Sequence, residues 1–193
     1  MSGVMPDHPP VTDTVLRAAV PEDALCLSVL AMHVFLDTYA TQGIRPAIAR
    51  EVLTGYSQAL FQANIGDEST CLWVAERAGH LVGFAQVTHG AIHELAPAGR
   101  PAELLRLYVQ EPFTGQHIGS RLLARAEHLA AQAGATVMWL TPWVHNHRAR
   151  HFYLHCGYED FGLTYFKSEG ESHENRVYAK TLCAGAQNAG ECQ

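Results

Sequence analysis

The sequence has no C-x-x-C pair, no apolar run approaching the ~20 residues of a membrane-spanning helix, and no internal repeat. Its five cysteines, Cys26, Cys71, Cys156, Cys183 and Cys192, are odd in number, which argues against a disulfide scaffold and for a reducing, cytosolic setting. The stretch from Met1 to Pro10 lacks both a basic n-region and an apolar h-region, so export is not expected. Basic residues are scarce: 13 Lys and Arg stand against 19 Asp and Glu, a formal charge of −6. That balance disfavours a nucleic-acid surface, which needs a Lys/Arg stripe to release counterions, and it suits a cationic small molecule better. No Cys/His/Asn constellation marks a nucleophile, and Cys156, on the apolar side of its segment, reads as an inert thiol.

What is present is enough for one core. With 193 residues, 48% of them hydrophobic, the chain supports a single domain over about 13–183, with tails at 1–12 and 184–193 that have little to bury. Val15 to Ala19 reads as a first strand, and Pro21, Glu22 and Asp23 as a helix start carrying Leu27, Leu30, Ala31, Val34 and Phe35 at helical period. A second helix is expected from about Pro46 to near Asn64, with Gly55 weakening its middle. Thr70–Arg77 and Leu81–Thr88 form a hairpin about Ala78, Gly79 and His80. After an irregular connection from Glu94 to Pro101, the stretch Glu103–Val109 is a strand running into a turn at 110–117. A helix follows from Ile118, with Leu122, Ala126, Leu129, Ala130 and Ala133 in period and a stop at Gly134.

Thr136–Trp143 is a further apolar strand, on which Trp139 and Trp143 read as core. Asn146 caps a helix stopped by Gly157. Strands at about Glu159–Phe166 and Arg176–Leu182 flank a polar loop from Ser168 to Asn175. The order β-α-α-β-β-β-α-β-α-β-β implies an α/β or α+β layer fold on a largely antiparallel sheet of about seven strands.

Two segments carry chemistry. Gly115 and Gly119 bracket a turn feeding a helix, where backbone N–H groups and the helix field favour an anion such as a pyrophosphate, and His117 or Arg121 can add charge. Asn146, Ala149, Phe152, Tyr153, Gly157 and Tyr158 stand in the pattern N-x-x-A-x-x-F-Y-x-x-x-G-Y. A phenol on a buried helical face, as for Tyr153, needs a partner or a task. His147, His151 and His155 recur at i, i+4, i+8, but no Cys or carboxylate completes a ligand set, so a solvated helix face is the reading and no metal is expected.

These two segments together resemble the GNAT family of N-acetyltransferases, in element order over about residues 14–182 and most specifically over 103–158. His33–Ala40, Glu103–Tyr108, Trp139–Trp143 and Val177–Leu182 look like the PaiA-type polyamine acetyltransferases within it. The family's turn usually reads Q/R-x-x-G-x-G/A; here Thr114 stands at the first position and His117 at the first glycine, while Gly119 matches.

The resemblance implies a mixed, mostly antiparallel sheet with helices on both faces, splayed between its fourth and fifth strands, and a β-bulge in the 103–109 strand. Acetyl-coenzyme A would lie in that gap. Its arm would run along Leu107, Tyr108 and Val109, with an N–H near Val109 polarising the carbonyl. Its pyrophosphate would rest on Thr114, Gly115, Gln116, His117, Ile118, Gly119 and Ser120, and Asn146 and Phe152 would contact the cofactor. Tyr153 falls at the general-acid position.

Glu103 shares strand parity with Leu105, Leu107 and Val109, so it is expected on the face of the acyl site, as a base for the amine or an anchor for a cation. Phe35, Asp37 and Tyr39 fall where the family builds its acceptor wall. The activity implied is direct acetyl transfer to a small, polyamine-like primary amine. N-terminal or lysine acetylation of a protein is the alternative among enzymes, and a non-catalytic acyl-coenzyme A sensor, suggested by His117, is the alternative outside them. A symmetric homodimer is the general expectation for association.

Overall fold

The computed structural model describes residues 13–168 and 171–183. The expected tails at 1–12 and 184–193 lie outside the described residues. Seven strands run β1 (Val15–Ala18), β2 (Thr70–Arg77), β3 (His80–His89), β4 (Pro101–Val109), β5 (Val137–Leu140), β6 (Glu159–Ser168) and β7 (Glu171–Thr181). They form one sheet in the order β1-β2-β3-β4-β5-β7-β6. Every pairing is antiparallel except β4 with β5. The helices are α1 (Ala24–Tyr39), α2 (Pro46–Gly55), α3 (Gln58–Ile65), α4 (Ile118–Gln132) and α5 (His147–His155). None of the described helices is long and apolar enough to cross a membrane.

Helices cover both faces. On one, Ile118, Leu122, Leu123, Ala126 and Ala130 of α4 pack on Val82, Ala85, Val87, Leu104 and Met138. On the other, Leu27 and Leu30 of α1 and Phe61 of α3 pack on Val74 and Phe84. Leu27 and Phe61 are fully buried, each contributing about 1.5–3 kcal/mol relative to exposure. A smaller cluster under the 90–100 connection holds Trp139, whose Nε1–H donates to the Ala91 carbonyl at 2.7 Å.

The β2–β3 hairpin closes with Arg77 opposite His80, and Ala78 (φ 50°) and Gly79 (φ 78°) both take the positive φ that a tight, right-twisted hairpin demands. The single helix expected over 46–64 is two. It ends at Gly55, Tyr56 turns inward, and Ser57 caps α3 by accepting the Leu60 N–H at 3.3 Å. The inward turn is pinned by the Ser28 hydroxyl, which donates to the Tyr56 carbonyl at 2.5 Å. The polar loop expected from Ser168 to Asn175 is largely strand, since β7 begins at Glu171 and pairs with β6 through Ser168. The strand expected to reach Trp143 leaves the sheet after Leu140; Trp143 makes only an isolated bridge to Asn175.

The β4–β5 pairing lasts from Pro101 to Glu103 only, while β4 stays paired with β3 as far as Val109 opposite Gly83. The sheet therefore opens between β4 and β5 beyond Glu103. In the same stretch Val87 faces Leu104 and Gln86 faces Arg106, leaving Leu105 as the extra residue of a β-bulge. That extra residue corrects the expected parity. Leu107 and Val109 pack with the α4 face, but Glu103 aligns with Thr88 and, like Arg106 and Tyr108, belongs to the opposite face with Gln86 and Phe84.

Candidate active site

A cleft of about 840 Å³ occupies the opening between β4 and α5. Leu107, Tyr108 and Val109 at the end of β4 form one wall. The turn contributes Thr114, Gly115 and His117, and the first residues of α4 contribute Ile118, Gly119 and Ser120. Opposite stand Asn146, Phe152 and Tyr153 of the α5 segment. Gln116 lies outside this lining; its Oε1 accepts from Arg77 at 2.9 Å and its Nε2 donates to the Pro112 carbonyl at 3.2 Å.

The turn is built to leave amides free. Gly115 (φ 73°) and His117 (φ 58°) are both left-handed. Histidine is among the few non-glycine residues that enter this region with any frequency. His117 thereby reproduces the conformation a glycine would take, and its side chain is exposed. No side chain caps the start of α4, and the first hydrogen bond back to the turn is from the Arg121 N–H to the His117 carbonyl at 3.0 Å. The N–H groups ahead of it point out of the helix start, where its field favours an anion. A β-carbon on Gly119 would meet Phe152 at 3.7 Å, an ordinary van der Waals contact, so the start of α4 lies against α5 here and an alanine would also fit.

Asn146 caps α5 through its side-chain oxygen, which accepts the Ala149 N–H at 3.0 Å, and Gly157 (φ 83°) ends the segment. This presents Tyr153 inward, 8% exposed, with its ring edge-on to Phe152 and Tyr158. Burial, with lesser contributions from Tyr39 and Cys156, raises the Tyr153 hydroxyl above the ordinary phenol range. It therefore holds its proton at neutral pH.

A second cavity, of about 860 Å³, adjoins the first. Tyr39 and Trp143 line both, with ring centroids 5.6 Å apart. Phe35 and Tyr56 continue the aromatic wall, and Glu51 brings a carboxylate. Tyr39 is pushed up to about 12 by burial and by Tyr56. Behind the wall, the Arg106 guanidinium lies 4.9 Å from the Tyr56 ring and donates to Gln86 Oε1 at 2.6 Å and to the Gly55 carbonyl at 3.1 Å. The Tyr56 and Tyr108 hydroxyls are hydrogen-bonded at 3.0 Å.

Phe35 and Tyr39 thus belong to this second cavity, whereas Asp37 lines the first and pairs with His33 Nε2 at 3.2 Å. Glu103 lines neither; burial raises its carboxyl above the usual range, and Arg106 opposes that. Trp143, expected in the core, is a cavity wall. Tyr56 went unnoticed in the sequence, although Gly55 followed two residues later by Ser57 is a stop-and-start signal that would have exposed it. Among the described residues no group of three His, Cys, Asp or Glu is arranged to hold a metal ion.

Residues 38–158 match the acetyltransferase (GNAT) family. The aminoalkylphosphonate N-acetyltransferase of Salmonella typhimurium (strain LT2) is 37% identical over 108 residues, covering 56% of this chain and 69% of that one. Among solved structures, the PaiA N-acetyltransferase of Thermoplasma acidophilum in complex with coenzyme A superposes with a TM-score of 0.68 at 22% identity, over 88% of this chain and 99% of that one. The ribosomal-protein-alanine N-acetyltransferase of Brucella melitensis gives a TM-score of 0.68 at 20% identity, over 87% and 99%. The two superpositions speak to the fold, and the sequence matches speak to descent. The chain belongs to the GNAT family of acetyltransferases and is an enzyme that takes its acetyl group from acetyl-coenzyme A.

Proposed function

We propose that this enzyme transfers acetyl from acetyl-coenzyme A to the primary amine of a small, polyamine-like molecule, by direct attack within a ternary complex. The observation that carries the reading is the meeting of two cavities at Tyr39 and Trp143, one of them lined by the protonated Tyr153. The pyrophosphate rests on the amides at the start of α4, and the thioester arm extends β4 along Leu107 and Val109. The amine nitrogen, entering from the second cavity, attacks the carbonyl carbon. As the C–N bond forms and the C–S bond breaks, Tyr153 gives its proton to the departing thiolate and is reprotonated from solvent. Glu103, on the acceptor-side face but outside the lining, takes the amine's proton through water; its raised carboxyl pKa makes it a better base than an exposed glutamate.

The aromatic wall supports a polyamine, since a second ammonium gains about 0.5–2 kcal/mol over an aromatic face. Asp37, lining the other cavity, does not serve that end. The Salmonella relative supports a small amine acceptor, the Brucella neighbour a protein N-terminus. The odd number of cysteines and the lack of a C-x-x-C pair support the cytosol as the setting. The test is a thiol-release assay with acetyl-coenzyme A over spermidine, putrescine, 2-aminoethylphosphonate and an alanine-initiated peptide. Fastest release with spermidine or putrescine is expected; preference for the peptide would overturn the small-amine reading.

A further inference from the structure

Coenzyme A brings a pyrophosphate and a phosphomonoester into a cleft with little permanent positive charge. Among the described residues lining it, Arg148 is the one side chain that is cationic at every pH, and it is opposed by the carboxylates of Asp37 and Glu111. The wall is otherwise rich in imidazole. His117 stands on the turn before α4, His145 just ahead of α5, and His147, His151 and His155 along α5 itself. All five are exposed, and the last three share a helical face at i, i+4, i+8.

We propose that these imidazoles, led by His147, His151 and His155, hold the donor's phosphates as imidazolium ions, so that acetyl-coenzyme A binds more tightly as the pH falls through the imidazole range. The proposal rests on the donor occupying this cleft. The geometry on α5 favours coupling. His151 and His155 have ring centroids 4.0 Å apart, close enough that charging both costs energy unless an anion lies against them. His155 Nδ1 lies 2.9 Å from the His151 carbonyl oxygen, which can only accept. Nδ1 therefore carries the hydrogen, and Nε2 is the atom that takes up the second proton. A phosphate at this face removes the repulsion, and its binding draws protons from solution.

Charged and titratable groups face these imidazoles from several elements. From α1 come Asp37, paired with His33, and Tyr39; from β4, Tyr108; from the turn before α4, Glu111. On α5 are Arg148 and Tyr153, and the Trp143 ring meets His145 edge-on at 4.9 Å. Burial holds the hydroxyls of Tyr39, Tyr108 and Tyr153 protonated, so none contributes charge near neutrality. The two carboxylates repel phosphate, so that beyond the amides at the start of α4 the attraction comes from Arg148 and from the imidazolium that forms. The sign follows. A phosphate raises the proton affinity of the imidazoles it touches, so the gain is full below the pKa of the free imidazoles and is lost as pH rises through that of the complex. Below about pH 6 the phosphomonoester itself loses a charge, which sets the acid limit of the gain.

The test is calorimetric titration of the full chain with acetyl-coenzyme A and with S-acetylpantetheine, which lacks the phosphates, at about pH 6.2 and about pH 8.2. The expected Kd for acetyl-coenzyme A is about tenfold or more larger at the higher pH, while that for S-acetylpantetheine changes less than about twofold. The double variant His151→Gln/His155→Gln, checked by thermal melting, should flatten the dependence. His151→Arg should restore tight binding at the higher pH. A Kd for acetyl-coenzyme A that is flat across pH, an equal slope for S-acetylpantetheine, or an undiminished slope in the double variant overturns the proposal while leaving the donor site standing. Absence of acetyl-coenzyme A binding at both pH values overturns the donor site, and the proposal with it.

Discussion

A phenol can serve as the acid for a departing thiolate only if it keeps its proton until the C–S bond stretches. Tyr153 meets that condition because burial raises its pKa above the ordinary phenol value, so its ionisation removes no activity below about pH 10. Tyr153→Phe preserves the ring contacts with Phe152 and Tyr158 and deletes only the proton. Steady-state thiol release should show kcat lower by about a hundredfold, with Kd for coenzyme A within about twofold of the parent. An unchanged kcat between about pH 7 and 9 would remove Tyr153 from the chemistry. His117 is constrained by its backbone rather than by its side chain. Its φ of 58° means that glycine fits there and a β-branched residue does not. Measured at about pH 8, where imidazole is largely neutral, His117→Gly should leave coenzyme A binding intact. His117→Val should cost about 1–2 kcal/mol of stability in urea unfolding and weaken binding. Equal behaviour of the two variants would show that the turn conformation is not what matters.

Strands and helices hold these residues in place, and their constraints are also testable. Gly83 lies opposite Val109; a β-carbon there would sit 2.8 Å from the Tyr108 carbonyl oxygen and 3.1 Å from Val109 Cγ2. Gly83→Ala must push the end of β4 into the cleft between β4 and α5, at a cost of about 1–3 kcal/mol, and, with the donor bound there as proposed, raise KM for acetyl-coenzyme A. Parent-like KM and unfolding midpoint would mean that β4 is not held at this register. Elements whose period lies within one segment were legible beforehand: α4 with Leu122, Ala126 and Ala130, the hairpin at Ala78 and Gly79, and α5 between Asn146 and Gly157. The face of Glu103 was not. The resemblance implied a bulge in this strand, but only the register against β3 locates it at Leu105, between Glu103 and the residues of the acyl site, and so moves Glu103 to the opposite face. Likewise the strand character of 171–175 depends on pairing with β6, and the polar sequence there carries no sign of it.

Across the whole molecule, the cleft between β4 and α5, the one proposed for the donor, is assembled from two contiguous motifs, the turn into α4 and the cap-to-stop run of α5, and so its lining was legible. The second cavity, the one proposed for the acceptor, was legible only in part. Phe35 and Tyr39 were expected there, but Tyr56, Trp143 and Glu51 arrive from separate segments, brought together by the inward turn between α2 and α3 and by the departure of the chain from β5. In the proposed mechanism, free amides at the start of α4 seat the pyrophosphate and so deliver the thioester to Tyr153. A crystal structure of the complex with coenzyme A tests it most directly. The expected result has phosphate oxygens about 3 Å from the N–H groups of residues 118–120 and the thiol sulfur within about 4 Å of the Tyr153 hydroxyl. A helix start closed over by the His117 imidazole, with coenzyme A absent or bound elsewhere, would contradict it.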